Sequence, residues 1–393
     1  MTASAAPPTR APRVLFLVTE DWYFCSHRLP IARALKQAGY DVAIACRVDR
    51  HGAAIEAEGF HLFPLALSRR SLNPFHLIGA VGRIRKVVRD FWPDVIHNVA
   101  LKPAILGSLA ARLERLPACI NAIAGLGFVF SSPSIKARLL RPILTLILRL
   151  ALKDSHVIVQ NDSDGHTLTT RAIVAPERVA VIRGSGVDLS KFHPSPEPDG
   201  PVRAAMVSRM IAEKGVRDVI AAARLLRSRG INLRITLAGQ PDLENPSAIP
   251  PGDLEAWARE GIVEYLGHVE NVAALWSESH IAVLPSYYAE GVPLALIEAA
   301  AAGRPLLACA GPGLSDIAVP EVSALIVPAR DPKALAEALT RLAGDAALRA
   351  HLGAGARQLA EDRFSAERVV AETLALYHEI ANSPFQNPRG PVE

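Results

Sequence analysis

Short runs of unbroken apolar residues alternate with segments of helical spacing along nearly the whole chain. Residues 13–19 (RVLFLVT), 41–46 (DVAIAC), 62–67, 94–98 (DVIHN), 118–123 (ACINAI), 155–161 (SHVIVQN) and 179–183 read as strands. Between them lie stretches such as 27–39 (HRLPIARALKQAG), with helical spacing and a glycine stop. Strands without polar alternation are buried on both faces, so the order βαβαβ predicts a parallel, doubly wound sheet. The series then restarts: 202–207 (VRAAMV), 232–238 (NLRITLA), 263–266 (VEYL), 281–285 (IAVLP), 305–309 (PLLAC) and 324–327 (ALIV) form a second set, with helices at 216–228 and 332–343. The proline- and charge-rich stretch 191–200 (KFHPSPEPDG) marks a linker.

The expected organisation is α/β: two doubly wound Rossmann-like domains facing across a cleft. Residues 1–11 and 383–393 are tails, 12–190 the first domain and 201–363 the second. Residues 364–382, amphipathic in FSAERVVAETLALYHEI, are expected to pack back on the first domain. A length of 393 residues suits two domains. Half the residues are hydrophobic and 21% are charged, which excludes disordered and fibrous classes. Four cysteines without C-x-x-C spacing exclude a zinc ribbon and suit a reduced, cytoplasmic chain. No apolar run reaches the roughly 18 residues of a membrane span. The net charge of +4 hides an asymmetry. Residues 1–195 hold 25 Lys and Arg against 14 Asp and Glu, whereas the remainder hold 18 against 25. The basic front half is expected to face something anionic.

Glycine placement excludes two nucleotide-binding classes. The turn after the first strand, 19–27 (TEDWYFCSH), has no glycine, so the dinucleotide fingerprint is missing. No G-x-x-x-x-G-K-[ST] run occurs. The densest signal is 287–305 (YYAEGVPLALIEAAAAGRP), where a strand ends, a turn carries Glu290 and Gly291, and a helix opens near Pro293. Free N–H groups from Gly291 onward suit a phosphate, and Val292, Pro293 and Leu294 complete that candidate binding turn. Glu290 and Glu298 stand at most about 12 Å apart along that helix, too far for a glycosidase pair and suited to gripping two ends of an extended ligand. A first-turn acid serving the helix dipole is the plainer alternative for Glu290. Arg209 and Lys214, in 207–215 (VSRMIAEKG), follow the first strand of the second set, where they can meet a diphosphate.

Together these residues resemble the nucleotide-sugar site of glycosyltransferase family 4, the retaining enzymes of the GT-B fold. E-x7-E is matched by Glu290 and Glu298, the Arg/Lys pair by Arg209 and Lys214, and the base-side loop by 267–271 (GHVEN), with His268 and Val269. Residues 184–194 (GSGVDLSKFHP) resemble the family's segment before the linker. The resemblance implies that Glu290 lies by the donor sugar, Glu298 holds ribose hydroxyls, and Arg209 and Lys214 neutralise the leaving diphosphate. Gly239 is expected to line the same site, and no dedicated metal or cofactor is implied. Asp162-Ser-Asp164 spells D-x-D but reads as a capping turn.

Stretches 21–28 (DWYFCSHR), 97–103 (HNVALKP) and 121–130 (NAIAGLGFVF) resemble a subgroup acting on polyprenyl-diphosphate-linked saccharides in O-antigen, capsule and related polysaccharide assembly. Asp21, His27, Arg28, Lys102, Gly125 and Gly127 become candidate acceptor contacts, and His97 a candidate catalytic histidine. The sequence departs from many members by an aromatic stretch around Trp22 in place of a Gly-Gly loop, and by lacking a histidine in 121–124. The implied reaction moves a hexosyl unit, UDP-linked, to a lipid-linked saccharide. A nucleotide-sugar 2-epimerase and a silent nucleotide-sugar-binding protein are the alternatives. Residues 134–154 (SIKARLLRPILTLILRLALKD) add an apolar arc opposed by Arg138, Arg141, Arg149 and Lys153, with Pro142 expected to split the helix. The plainer reading turns that arc into the core. With the basic half-charge and a lipid-linked acceptor, peripheral contact with the inner face of the cell membrane is expected, extended by Arg69, Arg70, Arg83, Arg85, Lys86 and Arg89. No nucleic-acid-binding motif is present.

Overall fold

The computed structural model describes residues 10–67, 73–131, 134–287 and 291–382, and these divide into two compact units. The first takes the chain up to Ile182 and again from Val369; the second spans Arg183–Arg368.

The first unit holds seven parallel strands: β1 (Arg13–Glu20), β2 (Asp41–Arg47), β3 (His61–Pro64), β4 (Val95–Val99), β5 (Ala118–Ile123), β6 (His156–Val159) and β7 (Val179–Val181). Their order is β3-β2-β1-β4-β5-β6-β7. Both sheet faces are covered, which is why β1 is apolar at almost every position. Val14, Phe16 and Val18 face one layer with Phe24, Ile31 and Leu35. Leu15 and Leu17 face the opposite layer with Ile84, Val88 and Leu106.

The second unit holds six parallel strands: β8 (Val202–Val207), β9 (Leu233–Ala238), β10 (Glu264–Gly267), β11 (Ile281–Leu284), β12 (Leu306–Cys309) and β13 (Ala324–Val327). Their order is β10-β9-β8-β11-β12-β13. Each sheet reverses strand order beside its own first strand, between β1 and β4 and between β8 and β11. Open α/β sheets bind ligands at such a switch point, outside the carboxyl ends of the strands.

Four expectations need correction. The glycine-free turn at 21–27 is a helix (Asp21–His27), and a second helix follows at Leu29–Gln37. Arg28 breaks the two, with Pro30 in the first turn of the second. Pro142 does not split its helix, which runs unbroken over Ile135–Leu152. That helix does not turn its arc into the core either: Ile135, Leu139, Leu140, Ile143, Leu146, Ile147 and Leu150 are exposed, while Ala137, Leu148 and Leu152 make the inward contacts. Finally, 191–200 is no free linker. Phe192 is buried in the second core, Glu197 takes a two-pronged ion pair from Arg349 at 2.7 and 2.6 Å, and Arg304 reaches Ser195 and the Pro196 carbonyl.

The last helix, Ala366–Asn382, begins at the end of the second unit and delivers Val369, Leu376, Tyr377 and Ile380 to the first core.

Candidate functional site: a nucleotide-sugar site in the second unit

The two motifs of the second unit meet at its switch point. β8 leads into a short turn ending at Lys214, and β11 leads into the loop before helix Leu294–Ala301. The loops are stapled to each other, since the Glu213 carbonyl accepts the Tyr287 N–H at 3.0 Å. Gly215 (φ +82°) lies so close to Pro285 that a Cβ there would stand 2.4 Å from the Pro285 carbonyl oxygen. Only glycine allows that approach. Gly239 does the same between β8 and β9: at φ +132°, a Cβ would stand 1.8 Å from the Ser208 oxygen.

Arg209 is half-exposed and held by Asp242 through Nη1 at 2.7 Å. A guanidinium has five N–H donors, so this pair fixes one edge and leaves the fork its remaining geometry for an anion. Lys214 is buried close by. Gly291, Val292 and Pro293 are buried, and the Pro293 carbonyl accepts from Leu296 and Ile297. No side chain caps this helix start, so the N–H groups of Leu294 and Ala295 lie at an uncapped positive end. Glu298 sits in the helix's second turn, half-buried. Burial pushes its carboxyl up to about 7, while Lys191 and the Trp276 indole act the other way and favour the carboxylate. His268 is exposed just after β10, and Val269 packs on the core beside it. Glu290 lies outside the described residues, as do Arg69 and Arg70.

The candidates of the first unit separate into three groups. Asp21 is wholly buried; burial pushes its carboxyl up, but the N–H groups of His51, Asp49 and Trp22 outweigh that and hold it below its ordinary value. It organises a loop and is not offered to an acceptor. His97 is likewise interior: it stacks on Phe16 at 4.8 Å, and its Nδ1 lies 2.8 Å from the Tyr377 hydroxyl. Burial, and then the Arg28 charge, depress its basicity, so it stays neutral. Through this contact His97 ties the last helix to the sheet, while its Nε2 has no hydrogen-bond partner among the described residues. His27 stacks on Tyr23 at 4.1 Å and is pushed down to about 3 by burial and Arg28. Arg28 is buried with its Nε unpartnered. Lys102 opens helix Leu101–Leu113, and Gly125 and Gly127 follow β5 at positive φ. Asn121, in the stretch 121–124 that lacks a histidine, is locked between Asn98, Ser108 and Ser155. Asn161 caps the helix that Asp162 opens, accepting from the Asp164 N–H, so D-x-D is a capping turn.

The sequence is matched by two family models, "Glycosyl transferase 4-like" over residues 13–162 and "Glycosyl transferases group 1" over residues 201–345. The chain is a GT-B glycosyltransferase of the family 4 type. Among relatives, it is 27% identical over 369 residues to the N,N'-diacetylbacillosaminyl-diphospho-undecaprenol alpha-1,3-N-acetylgalactosaminyltransferase of Campylobacter jejuni, covering 90% of this chain and 95% of that one. The capsular polysaccharide biosynthesis glycosyltransferase CapM of Staphylococcus aureus is 21% identical over 90% of this chain and 94% of its own. Among solved structures, Anabaena HepE in complex with UDP-glucose superposes with a TM-score of 0.71 at 16% identity, over 93% of this chain and 99% of that one. This transferase therefore shares the fold of that protein.

Sequence reasoning missed several partners in this site. Asp242 behind Arg209, Trp276 and Lys191 around Glu298, and Arg330 stacked 4.4 Å over the Tyr287 ring all come from distant segments. Of these, only Lys191 stood in a stretch already singled out, as linker.

Proposed function

We propose that this transferase moves a hexosyl unit, with retention, from a UDP-sugar to a polyprenyl-diphosphate-linked saccharide in cell-surface polysaccharide assembly. The observation that carries the donor half is the stapling of the Arg209–Lys214 loop to Pro285 and Tyr287 after β11, the strand that leads to the uncapped helix start at Leu294. Breaking the anomeric C–O bond leaves its electron pair on a β-phosphate oxygen and positive charge on the sugar. Cations and N–H groups aimed at that oxygen stabilise the transition state, each worth roughly 2.7–4 kcal/mol. Arg209 and Lys214 take that role, Glu298 accepts from the ribose hydroxyls, and Gly239, His268 and Val269 line the base side. The resemblance leaves Glu290 beside the donor sugar. The acceptor oxygen bonds to the anomeric carbon on the face the diphosphate leaves, and its proton passes to the departing phosphate. No metal is required in this scheme.

For the acceptor half, the relative from Campylobacter supports a lipid diphosphate, and the exposed arc of helix Ile135–Leu152 supports a membrane surface as its source. Among the described residues no helix is long and apolar enough to cross a membrane. A bilayer surface would be reached by peripheral contact. The test is nucleotide release from UDP-, GDP- and ADP-sugars in EDTA, with and without membrane lipid extract. Lipid-stimulated release from a UDP-sugar is the expected result. Release independent of lipid, or abolished by EDTA, overturns the acceptor or the metal-free part of the scheme respectively.

A further inference from the structure

The first unit contains a cavity of about 350 Å³, lined in part by Lys102 and Arg83, which the sequence offers separately as an acceptor contact and as part of a basic patch. It opens where helices Pro74–Phe91 and Leu101–Leu113 begin, against the ends of β2 and β3. Its walls divide by chemistry. Arg47, His76, Arg83 and Lys102 line it, with no carboxylate among the described lining residues, and Leu67, Phe75 and Leu106 supply apolar surface. Arg47 is braced by Glu20 at 2.8 Å, and Arg83 reaches the Ala66 carbonyl at 3.3 Å. Burial lowers the basicity of Lys102. Phe75, His76 and Leu77 belong to the first turn of one helix and Lys102 to the first turn of the other. Both helices therefore turn their positive ends toward the cavity.

Cations and helix starts of this kind take a multiply charged oxyanion. The apolar wall is superfluous for a free phosphate. At the rim, Phe75 is 82% and Ile78 69% exposed, unusual for large apolar side chains with no covering partner among the described residues. Helix Leu101–Leu113 packs against both Pro74–Phe91 and Ile135–Leu152. The rim thus belongs to the same helical layer as the exposed arc of the latter helix. A molecule with a doubly charged head and a long apolar tail fits this arrangement. The cavity lies at the small end of ligand sites, about 300–1,000 Å³. It has room for a diphosphate and the first isoprene units, and the rest of a long chain must run outside along the exposed apolar layer.

We propose that this cavity seats the polyprenyl diphosphate of the acceptor, with the diphosphate among Arg47, Arg83 and Lys102 and the first isoprene units against Leu67, Phe75 and Leu106. It rests on the lipid-linked acceptor reading above and assigns the part of the acceptor that carries no sugar. Transferred sugar and nucleotide are not needed to test it.

The experiment is calorimetric titration of the full chain with farnesyl diphosphate, farnesyl monophosphate, inorganic diphosphate and farnesol. Farnesyl diphosphate should bind tightest and farnesol not at all. Arg83→Gln and Lys102→Met should each weaken it by about tenfold or more, the loss of one charge-assisted bond. Arg83→Lys should recover part of the loss, and circular dichroism checks that each variant folds. Undiminished binding in both variants, or displacement of farnesyl diphosphate by UDP, overturns the assignment. Binding that depends on the two cations, together with no lipid-stimulated nucleotide release, would retain the site and reject the acceptor reading. Lipid-stimulated transfer with the same acceptor KM in both variants would do the reverse. Loss of binding to phosphatidylglycerol vesicles with unchanged farnesyl diphosphate affinity would make the cations a headgroup contact and reject the cavity assignment.

Discussion

The helix Ile135–Leu152 should carry this transferase onto a bilayer, and the structure says how strongly. Leu139, Ile143 and Leu146 stand 70%, 58% and 54% exposed on one arc. Burying a complete aliphatic side chain is worth roughly 1.5–3 kcal/mol, so covering what remains open on these three is worth about 3–5 kcal/mol. That is about two to nearly four orders of magnitude in partition. The opposed arginines do not contribute in the same way. Arg141 is bound to the Val129 carbonyl at 3.0 Å, and Arg149 to the carbonyls of Ala172 and Arg171 at 3.0 and 2.7 Å. Reversing those charges would release loops, so they are poor probes of a membrane. Leu139→Glu, Ile143→Glu and Leu146→Glu in one chain removes the apolar contribution and leaves those clamps untouched. The assay is co-sedimentation with phosphatidylglycerol-rich vesicles across a salt series. Wild type should sediment and resist moderate salt, since the main term is apolar. The triple variant should stay in the supernatant with UDP binding intact. Sedimentation equal to wild type refutes the argument, and loss of wild-type binding at modest salt shows that charge alone holds the protein there.

Arg209→Ala and Lys214→Ala should each lower kcat at least tenfold, as about 1.4 kcal/mol of lost transition-state stabilisation requires, read by nucleotide release. Near-normal turnover in both removes them from the diphosphate. Glu298 titrates at about 7 when folded against an ordinary 4.5, so folding takes up a proton between those values. Its contribution to stability is therefore full below about 4.5 and is lost as pH rises through about 7, while UDP affinity, which needs the carboxylate, rises over the same range. Glu298→Gln should flatten both profiles, and a wild-type UDP affinity independent of pH between 6 and 8 contradicts the ribose contact. Tyr377→Phe leaves His97 Nδ1 without its partner and should cost about 1–3 kcal/mol, lowering Tm by several degrees without changing donor KM. A selective fall in kcat at unchanged Tm would place His97 in the chemistry. Gly239→Ala forces the Ser208 backbone to move and should lower both Tm and UDP affinity, measured by thermal shift and titration.

The central strands were legible because they are buried on both faces, so local composition alone marks Val14–Val18 or Ile281–Leu284. Helix Asp21–His27 was not, since DWYFCSH has no apolar period to announce it. The sequence showed which residues of 135–152 share an arc, but periodicity is silent about what covers an arc, and here nothing described does. His97 illustrates the same limit. It lies in the middle of β4, and nothing in its local pattern announces the tyrosine 280 residues later that is bonded to it. The strand pattern placed Arg209 and Lys214 after β8 and Glu298 in the helix after β11, whereas Asp242 and Trp276, which contact or tune them, come from segments with no motif of their own.

The last helix has a consequence for how the protein is made. Phe16, in β1, leaves the ribosome long before Tyr377 and Ile380, yet it packs in one core with them. At about 5–20 residues per second, roughly 10–40 s separate the emergence of Ile182 from that of Ile380. The second unit is contiguous and is complete before the first, although it is encoded after it. Through that interval the part of the first core that Val369, Leu376, Tyr377 and Ile380 cover is open, so truncation before Val369 should yield a chain that needs chaperones rather than a shorter enzyme.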